Sequence, residues 1–273
     1  MNIKKVVIPA AGFGTRFLPI TKSIPKEMLP IINKPAIEYI VQEAMLSGIS
    51  DFFIIVSKGK EAISDYFKHS EKFNNILQKN KFSLSELETI INFSNFNYIE
   101  QEKQLGLGHA ILMAKNYIKD DFFAVMLPDD IIISARPSIK QLMELAQVEN
   151  ACVVAVQEVP DDLISSYGIV SIKNKLSDNI FELSNLVEKP DQKSAPSNLG
   201  IIGRYILSSK IFNSLEKIGF GVKGEIQLTD AIVHLMQSGE KVFAYKIDGC
   251  RYDIGTPVGW LKANNEISLH HHE

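Results

Sequence analysis

The stretch that decides the fold is V-I-P-A-A-G-F-G-T-R-F-L-P at residues 7–19, followed by P-K-E-M-L-P at 25–30. Its apolar run ends in a short turn that contains two glycines, where bare backbone can approach a ligand. Successive backbone N–H groups in such a turn form an anion-binding concavity. Arg16 and Lys26 follow closely and add charged donors that suit phosphate oxygens. The stretch therefore predicts a polyphosphate-binding loop at the end of the first strand. Its candidate contact residues are Ala10, Ala11, Gly12, Gly14 and Thr15.

The positive charge of the chain is concentrated around this loop. The first thirty residues carry five basic side chains and one acidic side chain, a net charge of +4, whereas the 273-residue chain has a formal net charge of −3. A tight turn that merely joins a strand to a helix is the alternative interpretation. We favour the phosphate-binding interpretation because a connecting turn does not need Arg16 and Lys26 so close by.

Spacing excludes two familiar phosphate-binding loops. The dinucleotide fingerprint requires G-x-G-x-x-G, and position 17 is phenylalanine. That fold also needs an acidic residue after the second strand to hold a ribose, but the strand predicted at 52–56 is followed by S-K-G. The P-loop string G-x-x-x-x-G-K-[ST] does not occur. A nicotinamide-dependent enzyme and an ordinary ATPase are therefore disfavoured.

Composition is that of an ordinary globular protein, with 45% hydrophobic and 22% charged residues. The isoelectric point of about 6.1 does not support binding to nucleic acid or to a membrane surface. No apolar stretch approaches the length needed to span a membrane. Cys152 and Cys250 are far apart and outside any metal or redox motif, so we expect reduced thiols and a cytoplasmic location.

Strand and helix patterns alternate along the chain, which predicts an α/β fold with a Rossmann-like, mostly parallel but mixed central sheet and helices on both faces. We expect a single domain over 1–273, with a first half at about 1–150 that contains the phosphate loop and a second half with the C-terminal helices at about 151–273. A polar segment at 70–93 is predicted to be an insertion. The predicted strands are 3–8, 52–56, 98–100, 122–127, 152–157, 169–172, 181–188, 201–206 and 241–247. The predicted helices include 62–67, 109–117, 138–148, 209–217, 226–237 and a last helix from about residue 258.

The opening stretch resembles the motif of the sugar-nucleotide pyrophosphorylases, and its A-A pair and P-K-E-M-L-P string favour the uridylyl-transferring branch. Further motifs agree in chain order: Q-L-G-L-G-H-A at 104–110, L-P-D-D at 127–130, Y-G-I-V at 167–170, V-E-K-P at 187–190, G-R-Y at 203–205 and G-E-I-Q-L-T-D-A at 224–231. The resemblance covers nearly the whole chain. It implies the nucleotide-diphospho-sugar transferase fold, UTP and glucose 1-phosphate as substrates, UDP-glucose and pyrophosphate as products, Mg²⁺ as cofactor, and a homodimer or homotetramer.

The same resemblance implies that 1–150 is the nucleotide-binding half and 151–273 the sugar-binding half, and it implies roles for particular residues. Gln104 and Gly108 are assigned to uracil, and an amide offers the donor and acceptor that the imide edge of this base needs. Asp129 follows an apolar strand and is the first candidate Mg²⁺ ligand, with Asp253 as the second. Asp130 is adjacent to Asp129 and could compete for this role. Aspartates at strand ends are also common turn residues, which is the alternative interpretation.

For the sugar substrate, the resemblance assigns Glu188 to the glucose hydroxyls and Lys189 to the phosphate. Adjacent residues of a strand point to opposite faces, so both can serve one site only if the chain bends, which Pro190 could help to set. Gly168 is expected to present backbone to the sugar, and Asn198 is a further candidate contact. A solvated charge pair is the alternative interpretation of the Glu188–Lys189 dipeptide.

The implied reaction is an in-line attack by a glucose 1-phosphate oxygen on the α-phosphorus of UTP. Because this nucleophile is already an anion, positioning and charge neutralisation by Mg²⁺, Arg16, Lys26 and Lys189 suffice for catalysis. The nearest rival is a pyrophosphorylase that uses dTTP or another sugar phosphate. A non-catalytic sugar-nucleotide sensor is disfavoured because Lys26 and Asp129 are both present.

Overall fold

The computed structural model describes residues 1–70, 85–221 and 224–270. The strands are β1 (Lys5–Pro9), β2 (Pro30–Ile31), β3 (Lys34–Pro35), β4 (Asp51–Val56), β5 (Asn95–Glu100), β6 (Phe122–Met126), β7 (Asp130–Ile133), β8 (Cys152–Glu158), β9 (Gly168–Lys175), β10 (Ile180–Glu188), β11 (Leu199–Ser208), β12 (Val242–Lys246) and β13 (Cys250–Asp253). The α-helices are α1 (Ala36–Leu46), α2 (Glu61–Tyr66), α3 (Ser85–Phe93), α4 (Leu107–Leu112), α5 (Ser138–Glu149), α6 (Ile211–Lys217), α7 (Leu228–Gln237) and α8 (Pro257–His270). Short 3₁₀ helices form at Thr15–Phe17, Ile20–Lys22, Lys26–Met28, Asp161–Ser166 and Gln192–Ser194.

Nine strands form one mixed sheet in the order β5-β4-β1-β6-β11-β8-β12-β10-β9. The first four are parallel, with β1 between β4 and β6, as in a Rossmann-like half. Beyond β6 the pairing is mostly antiparallel, and only β8 and β12 run parallel. The predicted mixed α/β sheet is confirmed, but it is mostly parallel only among the strands of the first half of the chain. Within the second half, β9 and β10 are antiparallel because a short turn joins them.

Both faces of the sheet are buried under helices, as predicted. Val6 and Ile8 pack with α1 and α5 on one face, while Val7 packs with α4, α6 and α7 on the other. Successive strand residues point to opposite faces, so a continuous apolar strand such as β1 requires cover on both sides. On α1, the apolar residues Ile37, Ile40, Val41 and Ala44 share one face at helical spacing and are fully buried.

Two small sheets were not predicted from the sequence. In the first, β7 and β13 pair antiparallel with Asp130 opposite Asp253. In the second, β2 pairs with β3. The β7–β13 pair joins segments more than a hundred residues apart, and its strands of four residues carry almost no periodic signal. Its consequence is functional, because it places the chain at Asp129 beside the chain at Asp253.

Several predicted segments differ from the structure in their bounds, among them the strand predicted at 98–100, which is β5 (Asn95–Glu100). The predicted helix at 109–117 starts earlier and ends at Leu112, after which hydrogen-bonded turns continue to Ile118. In the predicted insertion at 70–93, residues 85–93 form α3 and residues 71–84 lie outside the described residues.

Candidate active site

The predicted phosphate loop follows β1 at the carboxyl edge of the parallel strands. The Ala10 amide donates to Ile55 O at 2.7 Å, which holds the start of the loop against β4. Gly14 adopts a left-handed conformation with φ of 63°, and a β-carbon there would lie 3.0 Å from Thr21 Cγ2. A β-carbon at Gly12 would meet nothing within 4 Å. The glycine at 14 is therefore required by the turn itself, whereas Gly12 leaves open space in front of the loop.

Lys26 and Asp129, which the sequence analysis assigned to phosphate and metal, form an ion pair of 2.7 Å between Nζ and Oδ2. Burial lowers the pKa of Lys26, but the charges of Asp129 and Glu27 outweigh it and raise the pKa overall. Burial likewise raises the pKa of Asp129, but the charge and hydrogen bond of Lys26 hold it below its usual value. Both groups are therefore charged near neutral pH and neutralise each other.

Asp129, Asp253 and Arg16 converge on Gly255. A β-carbon at Gly255 would lie 3.0 Å from Asp253 Oδ1, 3.4 Å from Asp129 Oδ2 and 3.6 Å from Arg16 Nη1. The main chain sets this geometry, because the Ile254 amide donates to Asp129 O at 2.9 Å. Across the described ranges, His, Cys, Asp and Glu form no cluster of three or more that could hold a metal ion. Two carboxylates nevertheless suit Mg²⁺, which takes one or two of them together with waters and substrate phosphates.

Asp130, the competing aspartate, is committed to the protein. Its Oδ2 accepts the Gly203 amide at 2.7 Å, and its Oδ1 accepts Arg251 Nε at 2.6 Å. Burial lowers the pKa of Arg251, but the charge of Asp130 outweighs it and the net shift is upward. Arg251 also donates to the Tyr167 hydroxyl at 3.0 Å. This network explains the G-R-Y motif in part, since Gly203 leaves room for Asp130.

Glu188 and Lys189 face the same side despite their adjacency. Lys189 has φ of 47°, a left-handed conformation that turns the chain at the end of β10, and its amide donates to Tyr167 O at 3.0 Å. Lys189 Nζ lies 2.8 Å from Glu188 Oε1, while the Thr229 hydroxyl donates to Glu188 Oε2 at 2.5 Å. Gly168 pairs with Glu188, and a β-carbon on it would lie 3.2 Å from Glu188 Oε2. The chain therefore bends as the shared site requires.

Two cavities meet at Asp129. The first, of about 310 Å³, lies against the phosphate loop, and the second, of about 340 Å³, lies over β9, β10 and β11. Residues common to both are Leu107, Leu127, Asp129 and Glu225. The predicted residues lining the first cavity are Ala11, Gly12, Lys26, Gln104 and Asp129. Those lining the second are Arg16, Asp129, Gly168, Glu188, Lys189 and Asp253.

The remaining predicted residues lie outside these linings. Gly108 is packed against the protein, because a β-carbon there would lie 2.7 Å from Ile226 O. Asn198 is exposed just before β11, and its carbonyl accepts the Val159 amide. Neither cavity is lined by Ala10, Gly14 or Thr15. A larger hollow of about 630 Å³, between α7 and β10, contains none of the predicted residues.

Sequence reasoning missed several residues of the site. Glu225 and Thr229 belong to the G-E-I-Q-L-T-D-A motif, which was noticed without a role, and both line the second cavity. Lys60 was missed entirely. It is 8% exposed, and its Nζ donates to Ala10 O and to both oxygens of Glu27, which is 1% exposed. Burial lowers the pKa of Lys60 and raises the pKa of Glu27. Nothing in the sequence distinguishes Lys60 from its neighbour Lys58, which is exposed.

This combination of a Rossmann-like sheet, a phosphate loop and two adjoining cavities with paired carboxylates defines a nucleotide-dependent transferase. The chain matches the family model for nucleotidyl transferases over residues 5–269. It is 46% identical over 270 residues to the UTP–glucose-1-phosphate uridylyltransferase YngB of Bacillus subtilis strain 168, with 98% of this chain and 90% of that protein covered.

Solved structures agree with this similarity. A UDP-glucose pyrophosphorylase complexed with UDP-glucose matches with a TM-score of 0.90 at 42% identity, covering 98% of this chain and all of that one. A UTP-bound UGPase from Acinetobacter baumannii matches with a TM-score of 0.90 at 38% identity, covering 99% and 95% of the two chains. The chain belongs to the nucleotidyl transferase family, and within it to the UTP–glucose-1-phosphate uridylyltransferases.

Proposed function

We propose that this chain transfers a uridylyl group from UTP to glucose 1-phosphate and so forms UDP-glucose and pyrophosphate. The observation that carries the proposal is the junction of two cavities at Asp129, with Lys26 on one side and Glu188 and Lys189 on the other. A reaction between two phosphorylated substrates needs both to be held at once, with cations where the two phosphates approach each other. Residues 1–273 act as one domain in this proposal.

The first cavity holds UTP. Its phosphates lie against Ala11 and Gly12, near Arg16 and Lys26. Ala10, Gly14 and Thr15 lie outside the lining of the cavity and stay candidate contacts of the same loop. Uracil lies towards Gln104, whose side-chain amide donates to Gln101 O at 3.3 Å and keeps its own oxygen as an acceptor. Gly108 contributes by letting its helix approach Ile226, whose carbonyl accepts the Gly108 amide at 2.9 Å.

The second cavity holds glucose 1-phosphate. Glu188 accepts hydrogen bonds from the glucose hydroxyls, and Thr229 fixes the direction of its carboxylate. Lys189 lies beside Glu188 and neutralises the sugar phosphate. The backbone of Gly168 faces the sugar, and Asn198 stays a candidate contact that would have to approach from the rim.

Asp129 and Asp253 would hold Mg²⁺, which supplies charge neutralisation for the phosphates when it is bound. Lys26 and Arg16 neutralise charge that moves to the leaving pyrophosphate. An oxygen of glucose 1-phosphate forms a bond to the α-phosphorus, and the bond from this phosphorus to the β-phosphate bridging oxygen breaks. No proton has to be removed from the nucleophile, so the reaction needs no general base.

The test is pyrophosphate release from each of UTP, dTTP, ATP, CTP and GTP with glucose 1-phosphate, with Mg²⁺ and with excess chelator. We expect UTP to be preferred, turnover to require the metal, and Asp129→Asn to lose most activity. Asp162→Asn, an exposed aspartate away from both cavities, is the matched control. Preference for dTTP would favour the rival nucleotide specificity, and failure of every nucleotide would leave a non-catalytic binding protein.

We further propose a homodimer or homotetramer in the cytoplasm. Val258, Leu261 and Leu269 of α8 are 79%, 54% and 73% exposed, which supports an interface on this helix. Both cysteines are free thiols, which supports a reducing compartment. No helix among the described residues is long and apolar enough to cross a membrane. Light scattering of the purified protein tests the assembly, and fractionation of cells tests the location.

A further inference from the structure

Lys60 lies at the carboxyl edge of the sheet, directly before α2, but it does not line either cavity. Its ammonium group is turned inward. The three N–H donors of a lysine are matched by three acceptors: Ala10 O at 2.6 Å, Glu27 Oε2 at 2.8 Å and Glu27 Oε1 at 3.0 Å. Lys60 is therefore fully engaged by two segments that both serve the nucleotide cavity.

Each acceptor belongs to a part of the proposed nucleotide site. Ala10 O lies at the start of the phosphate loop, and the amide of the same residue donates to Ile55 O. Glu27 lies in the 3₁₀ helix Lys26–Met28, so its carboxylate sets the position of the residue before it. Lys60, Glu27, Lys26 and Asp129 then form an array of alternating charge that ends at the junction of the cavities.

We propose that Lys60 is a positioning residue for nucleotidyl transfer. By donating both to Ala10 O and to Glu27, it fixes the phosphate loop relative to the 3₁₀ helix Lys26–Met28 and so fixes the position of Lys26. The inference rests on the proposed function of Lys26. A mere structural pair would stabilise the fold without any special effect on turnover. A positioning role predicts that turnover falls even when the fold is kept, because a misplacement of about 1 Å at the reacting groups costs roughly a hundredfold in rate.

The informative variant is Glu27→Met combined with Lys60→Met. Replacing both members of a buried ion pair by apolar side chains of similar size often leaves stability unchanged or higher, whereas removing one member strands a charge. We expect the double variant to unfold near the wild-type temperature, with kcat about a hundredfold lower and KM for glucose 1-phosphate within about threefold. Lys58→Met, an exposed lysine on the same loop, is the matched control and should leave kcat unchanged.

A mutant cycle that combines this double variant with Lys26→Met distinguishes a positioning role from a general disturbance of the active site. If Lys60 acts through Lys26, the double change should lower kcat by less than about threefold in the Lys26→Met background. An equal loss in both backgrounds, or a wild-type kcat in the folded double variant, would overturn the proposal. If the wild-type protein itself releases no pyrophosphate, the proposed function fails instead, and the two failures are thereby distinguished.

Glu27→Gln provides a second route should the double variant not fold. The amide keeps the shape of the carboxylate and an oxygen that accepts from Lys60, although it leaves the ammonium group of Lys60 without its counter-charge. It removes the negative charge between the two lysines. We expect kcat to fall by about fivefold or more in the wild-type background and to be unaffected in the Lys26→Met background. Unchanged kcat in the wild-type background would contradict the proposed array.

Discussion

Removal of Lys26 should make the metal site easier to fill in the absence of nucleotide. In the free protein, Lys26 Nζ forms an ion pair of 2.7 Å with Asp129 Oδ2. A cation that binds this oxygen must therefore displace the ammonium group. Lys26→Met deletes the competing charge but retains an unbranched side chain of similar length. We therefore expect free Mn²⁺, used as a probe for the Mg²⁺ site, to bind the variant more tightly than the wild-type protein.

The size of this effect follows from the geometry of the pair. At 2.7 Å and an effective dielectric constant of about 20, the Coulomb attraction is roughly 6 kcal/mol. The side chains are 21% and 32% exposed, and desolvation and screening leave a net value of about 1–3 kcal/mol. Since 1.4 kcal/mol corresponds to tenfold in affinity, we expect Mn²⁺ to bind about 5–150-fold more tightly.

Calorimetric or paramagnetic titration with Mn²⁺ alone measures this quantity without any turnover. Lys22→Met is the matched control, since this exposed lysine lies four residues earlier and its removal changes the net charge equally. A general charge effect would shift both variants alike. Equal Mn²⁺ affinities for Lys26→Met and Lys22→Met would refute the reasoning that Lys26 and the metal compete for Asp129.

Three further predictions concern the sugar pocket, the packing of the motifs and pH. Glu188→Gln should raise KM for glucose 1-phosphate about 10–150-fold in steady-state assays, with little change in KM for UTP, because a charged acceptor is lost. Gly203→Ala should cost about 1–3 kcal/mol in urea unfolding, since its β-carbon would lie 2.6 Å from Asp130 Oδ2, whereas Gly219→Ala meets open space and should cost little. Burial lowers the pKa of His109, so the stability contributed by its neutral imidazole is fully present above about pH 6.5 and is lost as the pH falls towards the lowered pKa. His109→Gln should therefore weaken the pH dependence of the free energy of unfolding below about pH 7, measured by urea unfolding over a pH series.

Much of the fold in the first half of the chain could be predicted from the sequence, because the patterns that indicate its strands and helices each lie within a short segment. A continuous apolar strand ending in a glycine turn is visible in ten residues, and the face of α1 is visible in its spacing. The family and the fold class, predicted from the motifs in chain order, are confirmed. The roles of individual residues stay predictions, although the structure brings Asp129, Asp253, Glu188 and Lys189 to one site.

What could not be predicted depends on contacts between distant segments. The β7–β13 pair spans more than a hundred residues, and only the folded sheet shows that it places Asp253 beside Asp129. Lys60 resembles any surface lysine until the burial of its partner Glu27 is known. The bend at Lys189 depends on a left-handed backbone that a lysine rarely adopts, and its amide bond to Tyr167 O holds it there.

The stereochemical course at the α-phosphorus tests the central claim most directly. UTP made chiral at this phosphorus by sulfur substitution is turned over with glucose 1-phosphate, and the configuration of the UDP-glucose analogue is read by ³¹P NMR. If both substrates are held together at Asp129, the reaction is a single in-line displacement, and the configuration at the α-phosphorus is inverted. Retention would require two displacements through a covalent enzyme intermediate, and it would contradict a site in which the two phosphates react with each other directly.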